Sequence, residues 1–426
     1  MKGATFFSVD AGPAWRWRAL AWATDRFDPV TYFADNALPY PNGGFPNRLA
    51  AGARRVIPFS GHDDLQTLQT AHDQRPSWLV GFLSYDLKNQ LERLDSRHPD
   101  RLGFPVLFFY EPAILLDFTP DGVWILADDA DAVFRQIDTY RPTGARLPAN
   151  VAVQSRVRPE TYRQTVRRIQ EHIRAGDVYE LNYCLEFFAD GVVLDPVTTY
   201  RALSDRSPMP FATLVKQGER YLLGASPERF LKKDGRRVLS QPIKGTIRRG
   251  ASPADDERLR QQLRASEKEQ AENLMIVDLV RNDLARSAET GSVRVDELFG
   301  IYTFRQVHQM ISTVSATLRP DVPFTDAIRH AFPMGSMTGA PKIRAMQLID
   351  ELEASRRGLF SGAVGFITPD GDFDFNVVIR SLFYRADTRY VSFSVGSAIT
   401  YDADPAQEYE ECLLKAGALR SLLTGP

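Results

Sequence analysis

Cysteine is nearly absent: Cys184 and Cys412 are the only two in 426 residues, and one possible pair cannot staple a chain of this length. A disulfide-built scaffold is therefore excluded, and a reducing cytoplasm fits this usage. An excess of one charge is lacking too. The 52 basic and 54 acidic side chains nearly cancel, so no long-range field draws the chain to nucleic acid or to an anionic membrane surface. Anionic ligands have to be met by local cations. No apolar run approaches the roughly 20 residues of a membrane span, and the opening MKGATFFSVDAGPAWRWRALAWATDRF has no signal-peptide core. The chain reads as soluble and unprocessed. Internal repeats and low-complexity tracts are also missing, which excludes solenoids and arrays. What remains, 43% hydrophobic and 25% charged residues, is ordinary globular material with a sizeable buried core.

Residues 1–140 carry short apolar and aromatic runs cut by turns, such as WLVGFLSYDL (78–87) and VLFFYEPAILLDF (106–118), with few helix signals. This is the pattern of an extensive β-sheet. Between 140 and 160 a Pro-, Gly- and Arg-rich stretch without periodicity marks a connecting segment, so a sequence boundary falls near 150 and divides the chain into 1–150 and 151–426. Beyond it, Tyr162, Val166, Ile169 and Ile173 recur at helical spacing and Gly176 closes the helix. Leu181, Tyr183, Leu185 and Phe187 then alternate at strand period. A long helix is expected at about 266–286, and strands at 223–240, 304–318, 361–368, 374–385 and 389–400. The fold class expected is α+β with mainly antiparallel pairing.

Two helices carry carboxylates beside their apolar stripes. In the last one, Asp404 suits the N-cap, Pro405 the first turn, and Gln407 a capping box, which sets the register. Tyr409, Cys412, Leu413, Ala416 and Leu419 form its buried stripe, with Glu408, Glu411 and Lys415 along the border and Glu410 toward solvent. Glu269 and Glu272 repeat the spacing before LMIVDLV. Carboxylates at such borders are solvated faces, partners of cations, or ligands of a hard cation such as Mg²⁺; spacing alone does not choose.

A family resemblance does. IRAGDVYELNY (173–183), GASPERF (224–230), QPIKGT (241–246), EKEQAENLMIVDLVRNDL (267–284), VHQMISTVSATL (307–318), GSMTGAPKIRAMQLIDELE (335–353), GAVGF (362–366), VVIRSLF (377–383) and DPAQEYEECLLKA (404–416) stand in the order found in chorismate-binding enzymes. From about residue 155 to its end the chain resembles the anthranilate, aminodeoxychorismate, isochorismate and salicylate synthases. WLVGFLSYDL extends the likeness into the amino-terminal region of the amine-transferring members. The resemblance implies large antiparallel sheets packed as an α/β sandwich, with both parts of the chain intertwined around one cleft. It implies Mg²⁺ held by Glu272 and Glu411, with Glu269 and Glu408 reaching the metal directly or through water.

Chorismate carries two carboxylates, a C4 hydroxyl and an electrophilic C2, so its conversion needs anion clamps, an acid and a nucleophile. Glu228 matches the family's general acid, which has to stay protonated. Lys244, at 244 − 228 = 16 residues from it, stands where aminodeoxychorismate synthases carry the lysine that attacks C2 and where anthranilate synthases usually have alanine. Such an amine is expected neutral, its proton affinity lowered by burial or a cation. His308 matches a histidine used near C2 by anthranilate synthases. Arg380 resembles the arginine that grips the enolpyruvyl carboxylate. Thr338 and Gly339, at a helix start, are expected to offer donors to an anion; Gly245, Thr246, Gly396 and Lys415 complete the implied substrate site. Two departures stand out: Phe360 where members commonly have Tyr, and Ala398 in a GSA triplet (396–398) where they tend to read GAG.

Lys244 directs the resemblance to the aminodeoxychorismate synthase branch (component I), on the route to p-aminobenzoate and folate. This branch takes ammonia from a glutamine amidotransferase, which has to be a separate subunit because no Cys-based glutaminase sequence is present. Anthranilate synthase, then isochorismate or salicylate synthase, then a catalytically silent relative remain the alternatives.

Overall fold

A computed structural model describes residues 3–10, 12–143, 147–148 and 150–425; the rest of the connecting segment, 144–146 and 149, lies outside the described residues. Twenty strands form one hydrogen-bonded system, and every ladder in it is antiparallel. It folds into two stacked sheets. The first runs from Thr5–Ser8 through Gly122–Leu126, Leu107–Thr119, Arg48–Val56, Val30–Ala34 and Phe211–Gln217. It continues through Arg220–Ser226, Ser381–Arg385 and Tyr390–Ile399 to Glu180–Ala189. The second starts at Leu79–Leu83, which pairs with the early part of Leu107–Thr119. It proceeds through Ala363–Ile367, Phe373–Asn376, Arg229–Asp234 and Arg237–Gln241 to Val307–Thr317, which Ile243–Arg248 and Arg294–Thr303 also flank.

Strand alternation builds two cores from one sheet. Tyr32 and Ala34 face helices, while Phe33 between them faces the other sheet. The helix-side core joins Leu49, Leu214, Leu223 and Val391 to the helices Pro13–Arg26, Pro159–Arg174, Pro196–Arg206 and Pro405–Thr424. The second core gathers Phe82, Leu231, Val314 and Phe375, and the helices Glu267–Ala285 and Phe324–Ala331 cover the second sheet. The result is an α+β sandwich with helices outside both sheets. Because each sheet is covered on both faces, its strands read as near-continuous apolar runs.

Pairing crosses residue 150: Val30–Ala34 lies beside Phe211–Gln217, and Leu79–Leu83 beside Ala363–Ile367. The amino-terminal region holds more helix than its sequence pattern suggested, with Pro13–Arg26, Asp64–Gln74 and Ala130–Thr139. Trp15, Ala19, Trp22 and Ala23 are buried at helical spacing, so aromatic content misdirected the strand reading. No helix among the described residues is long and apolar enough to cross a membrane.

Candidate active site

A cavity of about 420 Å³ opens where the two acidic helices, Glu267–Ala285 and Pro405–Thr424, approach the strands Ile243–Arg248 and Tyr390–Ile399. Its size suits a small metabolite. Both helices start where their caps place them. Ser266 accepts from the Glu269 amide at 3.4 Å, and Asp404 accepts from Ala406 and Gln407 at 2.9 Å each. These caps set the register that turns Glu269, Glu272, Glu408 and Glu411 toward the same space. In all, five carboxylates and five cations line the wall, so a dianion and a dication can enter together without upsetting its charge balance.

Glu228 stands on a turn just after the strand Arg220–Ser226, where its carbonyl accepts from the Val377 amide. It is 4% exposed. Burial pushes its carboxyl up to about 7, against the opposing pull of a 2.7 Å hydrogen bond donated by Ser336 Oγ and of the Lys244 charge. A carboxyl in that range is half-protonated near neutrality, as a general acid requires. Lys244 occupies the same wall, with Nζ 2.7 Å from Glu180 Oε1. The expectation of a lowered amine is overturned here. Burial pulls Lys244 down, but Glu180, Glu272 and Glu228 outweigh it and hold the ammonium above its ordinary value.

Lys268 ties the two acidic helices together, 3.8 Å from Glu272 and 3.6 Å from Glu408. Burial raises Glu272 to about 7 and also raises Glu269 and Glu408. Burial acts on Glu411 in the same direction, but Lys415, 2.5 Å away, with Lys268 and Lys244, brings it below its ordinary value. As placed, no three His, Cys, Asp or Glu side chains among the described residues converge on one metal position. The donor chemistry fits a hard cation nonetheless: Glu272 Oε1 is buried without a hydrogen-bond donor, and an ammonium already bridges the helices.

Arg380 has φ +52°, a strained left-handed backbone for an arginine, and its side chain lines the cavity. Its guanidinium has no hydrogen bond or ion pair among the described residues; burial lowers its proton affinity and only the more distant Glu411 opposes that. Gly245, Thr246 and Gly396 also line the space. Gly245 has φ +91°, and a side chain there would meet Glu269 Oε2 at 3.0 Å. The Gly396 carbonyl accepts from Lys415 Nζ at 2.9 Å. Phe360 and Ala398 both form part of the wall.

The chorismate binding enzyme family matches residues 34–421, nearly the whole chain. The chain belongs to the chorismate-binding enzymes. An aminodeoxychorismate synthase of Streptomyces griseus is 40% identical over 385 residues, covering 85% of this chain and 52% of that protein. This chorismate-binding chain thus spans about half the length of that relative. Anthranilate synthase component 1 of Thermus thermophilus is 37% identical over 354 residues, covering 80% of this chain and 76% of that one. Among solved structures, anthranilate synthase component I from Streptococcus pneumoniae superposes with a TM-score of 0.78 at 26% identity, covering 91% and 93% of the two chains.

Three residues implied by the resemblance to chorismate-binding enzymes are not brought to the cavity. His308 is 1% exposed, and its ring lies against Thr303 Oγ1 at 2.9 Å and Asp256 at 3.0 Å. Its neighbours Val307 and Gln309 line the wall instead, because adjacent strand residues point to opposite faces. Thr338 is fully buried and spends its hydroxyl on the carbonyls of Met334 and Gly335. Gly339, with φ +149°, presses its backbone onto the strand Glu180–Ala189, where a side chain would meet the Glu180 carbonyl at 2.1 Å. Neither stands at a helix start, since that helix begins at Lys342. Sequence reasoning also passed over Glu180, Lys268, Gln309 and Ser336. Glu180 had a signal: the alternation that buries Leu181 and Tyr183 sends it to the other face.

Proposed function

We propose that this chain makes 4-amino-4-deoxychorismate from chorismate and ammonia, as aminodeoxychorismate synthase component I. One observation carries the reading: a carboxyl raised to about 7, Glu228, shares a cavity wall with the buried amine of Lys244. Glu228 gives its proton to the departing C4 hydroxyl while Lys244 Nζ attacks C2; ammonia then enters at C4 and expels the lysine. Arg380 holds the enolpyruvyl carboxylate through its unoccupied fork. Glu272 and Glu411, with Glu269 and Glu408 directly or through water, would hold Mg²⁺, which would supply positive charge for the ring carboxylate. Ammonia comes from a separate glutamine amidotransferase subunit in the cytoplasm. Cys184 and Cys412 are both buried, with thiols pushed up by burial, which suits neither to a glutaminase nucleophile.

The Thermus relative favours a second reading, anthranilate synthase. Incubating the purified chain with chorismate, Mg²⁺ and ammonium, with and without added lyase, separates the two by product mass and fluorescence. Aminodeoxychorismate is the product expected; anthranilate and pyruvate would overturn the assignment. Lys244→Ala should lose amination while still binding chorismate, and unchanged product formation would remove the covalent role.

A further inference from the structure

An ammonium has no lone pair with which to attack carbon, yet three carboxylates hold Lys244 protonated. Glu180 reaches it from the strand Glu180–Ala189, Glu272 from the helix Glu267–Ala285, and Glu228 from the turn after Arg220–Ser226. Of these only Glu180 is in hydrogen-bond contact, at 2.7 Å. It is 1% exposed and is not among the residues that line the cavity. Its second oxygen, Oε2, is buried with no partner. The other carboxylate on this strand face differs: Glu186 binds Arg156 and Tyr390 through both oxygens. A buried acid that leaves half its acceptor capacity unused is a costly way to anchor a lysine, and Oε2 provides a second seat for a proton.

We infer that Glu180 is the proton store that frees the Lys244 amine for attack and later returns the proton. The assignment rests on the aminating function proposed above. Oε1 takes one proton from Nζ, and the ion pair becomes a neutral amine and a neutral carboxyl, so no net charge is created in the low-dielectric wall. Nζ forms its bond to C2 as the C4–O bond breaks, and the oxygen leaves as water with the Glu228 proton. Ammonia then bonds to C4, the Nζ–C2 electron pair returns to nitrogen, and the new C4 ammonium gives a proton to Glu228. Proton return from Glu180 to Nζ restores the starting pair. The sum is chorismate plus ammonia giving aminodeoxychorismate plus water.

Glu180→Gln keeps the shape and removes the acceptor, leaving Lys244 to lose its proton to solvent. With ammonium and saturating Mg²⁺, the variant should lose about 100-fold in kcat near neutrality, with KM for chorismate unchanged because residue 180 does not line the cavity. With total ammonium adjusted to give the same free-ammonia concentration at every pH, the parent kcat below about pH 7 should be level, whereas the variant should rise about tenfold per pH unit, as one required deprotonation demands. Glu180→Asp retains a carboxylate and should restore the level profile. A Glu180→Gln enzyme with the parent's kcat and level profile reduces Glu180 to a packing partner and overturns the inference. Should Glu180→Gln fail to bind chorismate, the Glu180→Asp profile decides, and a rising limb there also overturns it. If the parent makes no aminodeoxychorismate, the functional reading falls first and takes this one with it; if the parent does, only Glu180 is at stake.

Discussion

Glu228 acts through what surrounds it. Burial raises the acid to about 7, so the protonated form that its proposed role as general acid needs is lost as pH rises through that value. We expect kcat to fall above pH 7, measured at saturating chorismate and constant free ammonia, and Glu228→Gln to lose about 10²–10⁴-fold. The same raised acid contributes to folding chiefly below its ordinary range, a contribution lost as pH climbs through about 7. Arg380 offers a second test. Its guanidinium has no hydrogen bond or ion pair among the described residues, so Arg380→Gln should remove a charge-assisted bond to substrate of about 1.5–3 kcal/mol, seen as roughly a tenfold to hundredfold higher KM, with melting temperature little changed. Both residues stand in motifs that marked them as candidates, and both line the cavity. Glu180 and Ser336 were passed over: the strand alternation marked the face of Glu180, but their hydrogen-bond partners lie 64 and 108 positions away in sequence.

Elements explain where phase was lost. The strand period over 307–317 was readable, but a period does not say which face meets the site. His308 and Gln309 differ by one position, and the pairing with Arg294–Thr303 and Ile243–Arg248 decided between them. Helix phase was safer, because side-chain caps pin it locally. Asp404 accepts two backbone N–H groups as anticipated, and Glu410 is exposed while Glu408 is buried. Asp404→Ala should cost about 1 kcal/mol of stability, visible as a lower melting temperature; an unchanged value would mean that packing alone holds the helix start. In Pro13–Arg26 the buried aromatics carried helical spacing, and composition masked it.

At the scale of the molecule, two acidic helices from separate parts of the sequence meet across one cavity, with Lys268 as the cation between them. A ligand that binds only the folded state stabilises it by mass action, about 2.7 kcal/mol at a hundred times its Kd. Mg²⁺ should therefore raise the melting temperature of the parent in a concentration-dependent way, and Glu411→Gln should shift that titration to higher Mg²⁺. Identical titrations would exclude Glu411 from the metal's ligands. By itself the sequence determined the fold class, both acidic helices and the cap of the last one, and it brought forward Glu228, Lys244 and Arg380 as candidates, because periodicity, caps and motifs are local properties. Only the tertiary structure decided that Lys244 sits charged beside Glu180, that Ser336 holds Glu228, and that His308, Thr338 and Gly339 do not line the cavity. These depend on strand pairing and burial, which bring distant residues within hydrogen-bond reach and set their protonation.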